Sequence, residues 1–214
     1  MRPTRLISAI LSVACAAVSG CSGVQISDVS IQQVPQYELN QNQKGLGVAL
    51  DPFYEEDRLE RYFGKNLLFH GILPILIVVR NHTDQPVLVQ TDRISLLGVD
   101  DISIPQVAID SARAPIARES IPKEKALFLA GVVFTPAMLL SDKELMDRDA
   151  ILQNIRRKAL VDRSLYPGEL HHGFVYFYIK RRDALGNRAR LELEIKNLST
   201  DGMSRFDFTL TNKR

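Results

Sequence analysis

The chain has 214 residues, with 27 basic side chains against 25 acidic ones. That length supports one sizeable domain, or one domain with an insertion. A formal charge of +2 leaves no global electrostatic pull toward nucleic acid, so no nucleic-acid partner is expected.

The chain opens on Met1-Arg2-Pro3-Thr4-Arg5, an uncharged apolar stretch from Leu6 to Val18, and then Ser19-Gly20-Cys21. A basic start, a short apolar run and a small-residue exit predict a secretory signal peptide over residues 1–20. The run is too short for a spanning helix, which needs about 20 residues. Val18-Ser19-Gly20-Cys21 resembles the lipobox of bacterial lipoproteins. The resemblance implies cleavage between Gly20 and Cys21, with a diacylglycerol joined to the Cys21 thiol by a thioether. In many Gram-negative bacteria the freed amine takes a further chain, such as palmitate. Two or three acyl chains anchor stably where one does not. Ser22 stands where an aspartate would signal inner-membrane retention, so the resemblance favours the outer membrane if the organism is Gram-negative. The alternative is an ordinary secreted protein with an incidental cysteine near its cut site. On the lipoprotein reading Cys15 leaves with the signal and Cys21 carries lipid, so the mature chain has no thiol for disulfides, metals or nucleophilic catalysis. Losing Arg2 and Arg5 also leaves 25 basic residues against 25 acidic ones.

Residues 21–43 form the lipidated end and a polar stretch, Ser22 to Gln43, ending in Asn40-Gln41-Asn42-Gln43. This composition buries little apolar surface and predicts a solvated tether, with a strand over some of Val29 to Val34 as an option. The domain is then expected over residues 44–214. Gly45 to Leu50 reads as a short strand broken by Asp51-Pro52. Leu59, Tyr62 and Phe63 follow at helical spacing with Gly64 as a stop. Leu73 to Arg80 is a β-branched and leucine run of the kind buried on both faces. A turn cluster, Asn81-His82-Thr83-Asp84-Gln85-Pro86, leads to a second strand, Val87 to Leu97.

The C-terminal part alternates clearly. Phe174 to Ile179 is an aromatic strand, followed by a turn over Asp183 to Asn187. Leu191, Leu193 and Ile195 alternate with charged residues, as do Phe206, Phe208 and Leu210 beyond a turn at Ser199 to Gly202. This period of two predicts antiparallel strands with one face in a core. Six or so strands with turns between them point to a β-sandwich. The elements Leu73 to Thr83, Leu165-Tyr166-Pro167-Gly168-Glu169 and Gly173 to Phe177 resemble the immunoglobulin-like modules of uncharacterised bacterial envelope lipoproteins. There a strand-Asn-x-Thr turn opens the sheet and a Leu-x-Pro-Gly turn leads into a late strand. The fold class expected is mainly β, an antiparallel immunoglobulin-like sandwich. An inserted helical segment at about 115–162 makes it α+β overall.

Within that insertion, Ala126 to Leu140 is uncharged and interrupted by Gly131 and Pro136. Two readings stand: a buried helix or hairpin, or a surface meeting lipid or a partner through Leu127, Phe128, Leu129, Val132, Val133, Phe134, Met138 and Leu139. Ser141 with Glu144 forms a capping box. It opens an amphipathic helix to about Leu160, with Leu145, Ile151, Leu152, Ile155 and Ala159 on the apolar side and Asn154 among the polar residues.

No catalytic motif, phosphate loop or metal-binding spacing is present, so no cofactor is expected. His171 and His172 are adjacent, and on a strand they point to opposite faces. Glu55-Glu56-Asp57 and Asp100-Asp101 fit a helix start and a turn. The function expected is that of a membrane-anchored envelope lipoprotein without enzymatic activity, binding a protein partner or itself as an assembly or accessory factor. The alternative is a cell-envelope hydrolase whose active site is scattered in sequence.

Overall fold

Along the chain run β1 (Leu39–Gln43), β2 (Leu46–Pro52), α1 (Glu56–Phe63), β3 (Ile72–Asn81), β4 (Val87–Leu97), β5 (Ser103–Ile104), α2 (Arg148–Lys158), β6 (Arg163–Leu165), β7 (Leu170–Tyr178), β8 (Ala189–Asn197) and β9 (Met203–Leu210). They come from a computed structural model that describes residues 26–107, 148–179, 185 and 188–211. The strands form two sheets. One is ordered β1-β2-β3-β7; the other is β5-β4-β8-β9, with β6 also paired to β4. Every strand pairing is antiparallel. The protein is an antiparallel β-sandwich with a helical insertion.

The two chemistries of strand predicted from the sequence sit where their patterns require. β3 is central, between β2 and β7, and its residues from Ile72 to Val79 are all buried. In β8 and β9, Leu191, Leu193, Ile195, Phe206, Phe208 and Leu210 point into the core. Leu191 pairs with Phe208 and Leu193 with Phe206. The intervening charged residues face water and pair across the strands, as Arg205 does with Glu192 at 2.9 Å. The β1–β2 hairpin turns on Lys44 and Gly45, both at positive φ, the geometry that matches the twist of a two-residue hairpin.

The aromatic residues of α1 and β7 fasten the helix to the sheet. Phe63 meets Phe174 edge-on at 5.0 Å and Tyr176 at 6.0 Å, and Phe53 meets Phe174 at 4.9 Å. Gly64 ends α1 in the left-handed conformation. The apolar stripe of α2 is also in the core: Ile151, Leu152 and Ile155 are buried.

Four expectations are corrected. Over residues 26–43 the expected solvated tether, and with it a domain beginning at 44, gives way to a folded arm, while residues 21–25 lie outside the described residues. Val34 and Tyr37 are buried, and Leu39 to Gln43 form β1 against β2. A polar edge strand satisfies its backbone on one side while its amide side chains stay in water, so low hydrophobicity did not prevent folding. Val29 to Val34 make no strand; a 3-10 turn occupies Val34–Gln36. Asp51 and Pro52 do not break β2 but end it, facing Leu76 and Ile75, at a strand end where proline is tolerated. Asn154, placed with the polar residues of α2, is buried, because its Nδ2 donates to the Tyr62 carbonyl at 2.8 Å. Gly20, Cys21, the stretch Ala126 to Leu140, and the Ser141, Glu144 and Leu145 start of the helix lie outside the described residues. So does the turn at Asp183 to Asn187, except for Leu185, which is buried.

Candidate functional site

The first of the described residues are bonded to the two helices. The Ser27 amide donates to the Arg61 carbonyl at 3.0 Å, at the end of α1. Lys158 Nζ, in the last turn of α2, donates to the Ser27 carbonyl at 2.6 Å and also to the Tyr62 carbonyl. Arg157 pairs with Asp28 at 3.1 Å. That last pair is exposed and worth little by itself; the lysine is the stronger clamp. Burial pushes the Lys158 ammonium down to about 8, partly opposed by Asp28 and reinforced by Arg157. Further along the arm, Val29 and Ile31 pack on the core, and the Tyr37 hydroxyl accepts from the Gln32 amide at 3.0 Å. Arg156-Arg157-Lys158 in the sequence signals only a cationic helix end; the arm it grips was not legible there.

Arm, α2 and β7 enclose a cleft of about 270 Å³ bordered by Asp28, Ile31, Leu76, Lys158, His172 and Phe174, among others. His172 is exposed there, while His171 faces the other way and is buried, the opposition that adjacent strand residues require. His171 Nε2 bonds the Val161 carbonyl at 2.8 Å. Burial holds its imidazole below the ordinary 6.5, opposed by that bond and reinforced by Arg163. His172 is lowered as well, by burial first and by His171 second. Neither histidine is bonded to a serine or a carboxylate among the described residues, and no group of three metal-ligating side chains occurs among them.

The outer edges of the first sheet are managed differently. The free edge of β7 is covered at two places. Leu160 donates from its amide to the Phe174 carbonyl at 2.8 Å, and Val107 does so to Tyr176 at 2.8 Å. Gly173 permits the first contact, since a Cβ there would lie 2.5 Å from Leu160 Cα. In the second sheet, β9 pairs with β8 alone among the described strands. Its outward side chains, Met203, Arg205, Asp207 and Thr209, are exposed, and Gln41 of β1 donates to the Asp207 carbonyl at 2.6 Å. No helix among the described residues is long and apolar enough to cross a membrane.

The eight apolar residues singled out between Leu127 and Leu139 are outside the described residues. The most exposed large apolar side chain among the described ones is Phe69, 83% accessible. It sits on a 3-10 turn over Leu67–His70, between the end of α1 and the start of β3.

No protein-family profile and no curated protein matches the chain. Among solved structures, the yjhA protein of Bacillus subtilis is similar at 10% identity, covering 79% of this chain and 95% of its own, with a TM-score of 0.41. A functionally unknown protein of Listeria monocytogenes shares 12% identity over 82% of each chain, with a TM-score of 0.40. A FixG-related protein of Vibrio parahaemolyticus shares 10% identity over 80% of this chain and 100% of its own, at 0.35. Likeness at this level carries no argument about function.

Proposed function

We propose that the chain is a lipid-anchored lipoprotein of the bacterial cell envelope, in the outer membrane where the organism is Gram-negative, and that its immunoglobulin-like sandwich acts by binding a protein partner rather than by catalysis. The Val18-Ser19-Gly20-Cys21 sequence supports the anchor. The observation that carries the binding role is β9, which pairs with β8 alone among the described strands, so that its outward backbone can take an added strand in exchange for the Gln41 bond to the Asp207 carbonyl while Arg205, Asp207 and Thr209 select what joins it. On its sequence alone, the uncharged stretch with Leu127, Phe128, Leu129, Val132, Val133, Phe134, Met138 and Leu139 is proposed as a second contact for lipid, partner or another copy.

Mass spectrometry of the protein purified from envelopes tests the anchor. A mature form beginning at a triacylated or diacylated Cys21 is expected, and Cys21→Ala should leave unprocessed precursor or a soluble form. An unmodified Cys21 overturns it. Cross-linking in intact envelopes tests the binding role. A discrete adduct should be lost when Thr209→Pro removes an amide from β9, or when residues 126–140 are deleted. An adduct unchanged by both variants overturns the assignment of these surfaces.

A further inference from the structure

We propose that the strand added to β9 is β9 of a second copy of this chain, in an antiparallel pair with its two-fold axis at Phe206. This names the partner for the edge described above and rests on that reading. Register shows which backbone groups face outward. The Asn197 amide donates to the Gly202 carbonyl at 2.8 Å where β8 turns into β9. From there Ile195 faces Ser204, Leu193 faces Phe206 and Leu191 faces Phe208 without a shift. Opposed residues of an antiparallel pair alternate between hydrogen-bonded and non-hydrogen-bonded. Ser204, Phe206, Phe208 and Leu210 therefore direct their amides and carbonyls to β8, and Met203, Arg205, Asp207 and Thr209 direct theirs outward. The bond from Gln41 Nε2 to the Asp207 carbonyl lies on that outward side. The same four residues carry the strand's exposed side chains. Edge strands are commonly blunted by lysine, proline or a bulge. β9 contains no lysine or proline and pairs with β8 in unbroken register, whereas the edge of β7 is covered by Leu160 and Val107.

The order of charges along that row selects the partner. About an axis at Phe206, Arg205 stands opposite Asp207 of the second copy, and Asp207 opposite its Arg205. Met203 and Thr209 match in the same way. Each of these opposed pairs exchanges both backbone hydrogen bonds, the Asp207 carbonyl giving up Gln41. Unlike charges directly opposite favour a strand pair, and like charges oppose it. An axis at Arg205 or at Asp207 would set like charges face to face, so the row is complementary to itself in one register. Within each copy Arg190 and Arg205 already hold Glu192 between them, at 3.0 and 2.9 Å, and Arg205 Nε reaches Asp207 at 3.2 Å. Asp207 of the second copy extends the sequence Arg190, Glu192, Arg205 by one more alternation of sign. Exposed pairs of this kind add little affinity; the backbone bonds supply the attachment, and the charges choose the register.

Charge reversal tests partner and register together. The full chain is expressed, extracted from envelopes in detergent, and its association is read by analytical ultracentrifugation. The parent should be a dimer. Arg205→Asp leaves two acids on the row and Asp207→Arg two bases, so each variant alone should dimerise about tenfold or more less tightly. An equal mixture of the two should restore the dimer, since acid then faces base at both positions. A second measurement does not depend on charge. Arg205→Cys and Asp207→Cys are placed in two differently tagged copies expressed together. Opposed Cα atoms about 5.5 Å apart are within disulfide reach, so unlike copies should be joined and like copies should not. Where a reversal variant loses the circular dichroism of the parent, the cysteine pair decides alone. A monomeric parent, with an envelope adduct to another protein that Thr209→Pro removes, overturns self-pairing and keeps β9 as the binding edge. A monomeric parent with an adduct indifferent to Thr209→Pro overturns both. A dimer that survives either reversal, a mixture of folded variants that stays monomeric, or cysteines that join like copies as readily as unlike ones overturns the proposed pairing.

Discussion

The Gly168 amide donates a 2.7 Å hydrogen bond to the Asn81 carbonyl, so the Asn-x-Thr turn after β3 and the Leu-x-Pro-Gly turn before β7 are one structure. The Asn81 amide completes the link by donating to the Glu169 carbonyl at 3.0 Å. The side chain does as much. Its Nδ2 donates to the Gln85 and Leu165 carbonyls, and its Oδ1 accepts from the amide and hydroxyl of Thr83. A fully buried asparagine with every polar position used ties both sheets together at this end. Each of the two turns thus supplies hydrogen-bond partners that the other lacks.

Asn81→Ala should therefore destabilise the fold by about 2–4 kcal/mol, since it leaves buried donors and acceptors unpaired. Asn81→Asp should fare little better, because a carboxylate would face the Gln85 and Leu165 carbonyls. Urea midpoints measure both. Midpoints within experimental scatter of the parent would show that the asparagine is a turn former and nothing more.

Two glycines should respond differently to alanine. At Gly168 an added Cβ meets nothing within 4 Å, and only its φ of +81 is unfavourable, so about 1–2 kcal/mol is expected. At Gly173 the Cβ would strike Leu160 backbone atoms at 2.5 and 2.6 Å. Gly173→Ala should cost more and should raise hydrogen exchange at the Leu160 amide selectively. Equal costs for the two variants would contradict the close approach.

Phe208→Ala should cost about 3–5 kcal/mol. The ring is 3% exposed and faces Leu191 across the β8–β9 ladder. Thermal unfolding followed by circular dichroism measures it, and a change below about 1 kcal/mol would place the ring outside the core.

Acidification should weaken the fold through His171. Burial lowers its folded pKa below 6.5, so the unfolded chain takes up a proton first. The contribution is complete above pH 6.5 and is lost as pH falls through the folded value. His172 works in the same sense. His171→Gln should flatten the stability profile between pH 7 and 5. An unchanged slope in that variant would assign the loss to other groups.

Lys158→Met should free the arm while keeping the packed stem of the side chain. Charge-assisted bonds to the Ser27 and Tyr62 carbonyls disappear, at about 1.5 kcal/mol or more. Exchange at the Asp28 to Ile31 amides should quicken roughly tenfold while β3 is unaffected. The parent should also gain stability as pH rises from about 8 toward 10, because the folded lysine releases its proton at about 8 and the unfolded one at 10.5. That gain should be absent in the variant. Above pH 10 it is reversed, since burial raises Tyr176 and takes Tyr54 to about 12.

The strands were legible in the residues because burial leaves a local signature. A continuous apolar run over Leu73 to Val79 can only sit between neighbours, and the alternation at Leu191, Leu193 and Ile195 can only present one face. The helix over Leu59, Tyr62 and Phe63 with its Gly64 stop is local for the same reason. What depended on contacts distant in sequence left no such mark. Arm and α2 are bonded across more than a hundred residues through Lys158 and Ser27, and composition averaged Val34, Tyr37 and Leu39 into a polar tether. Asn154 looks solvated until the Tyr62 carbonyl is brought to it. Leu67, Leu68 and Phe69 are an apolar triplet in the sequence; only packing turned two inward and one outward. Period and propensity act within a few residues, whereas the partner of a polar group, and the side of a turn that meets solvent, are chosen by which surfaces the whole chain brings together.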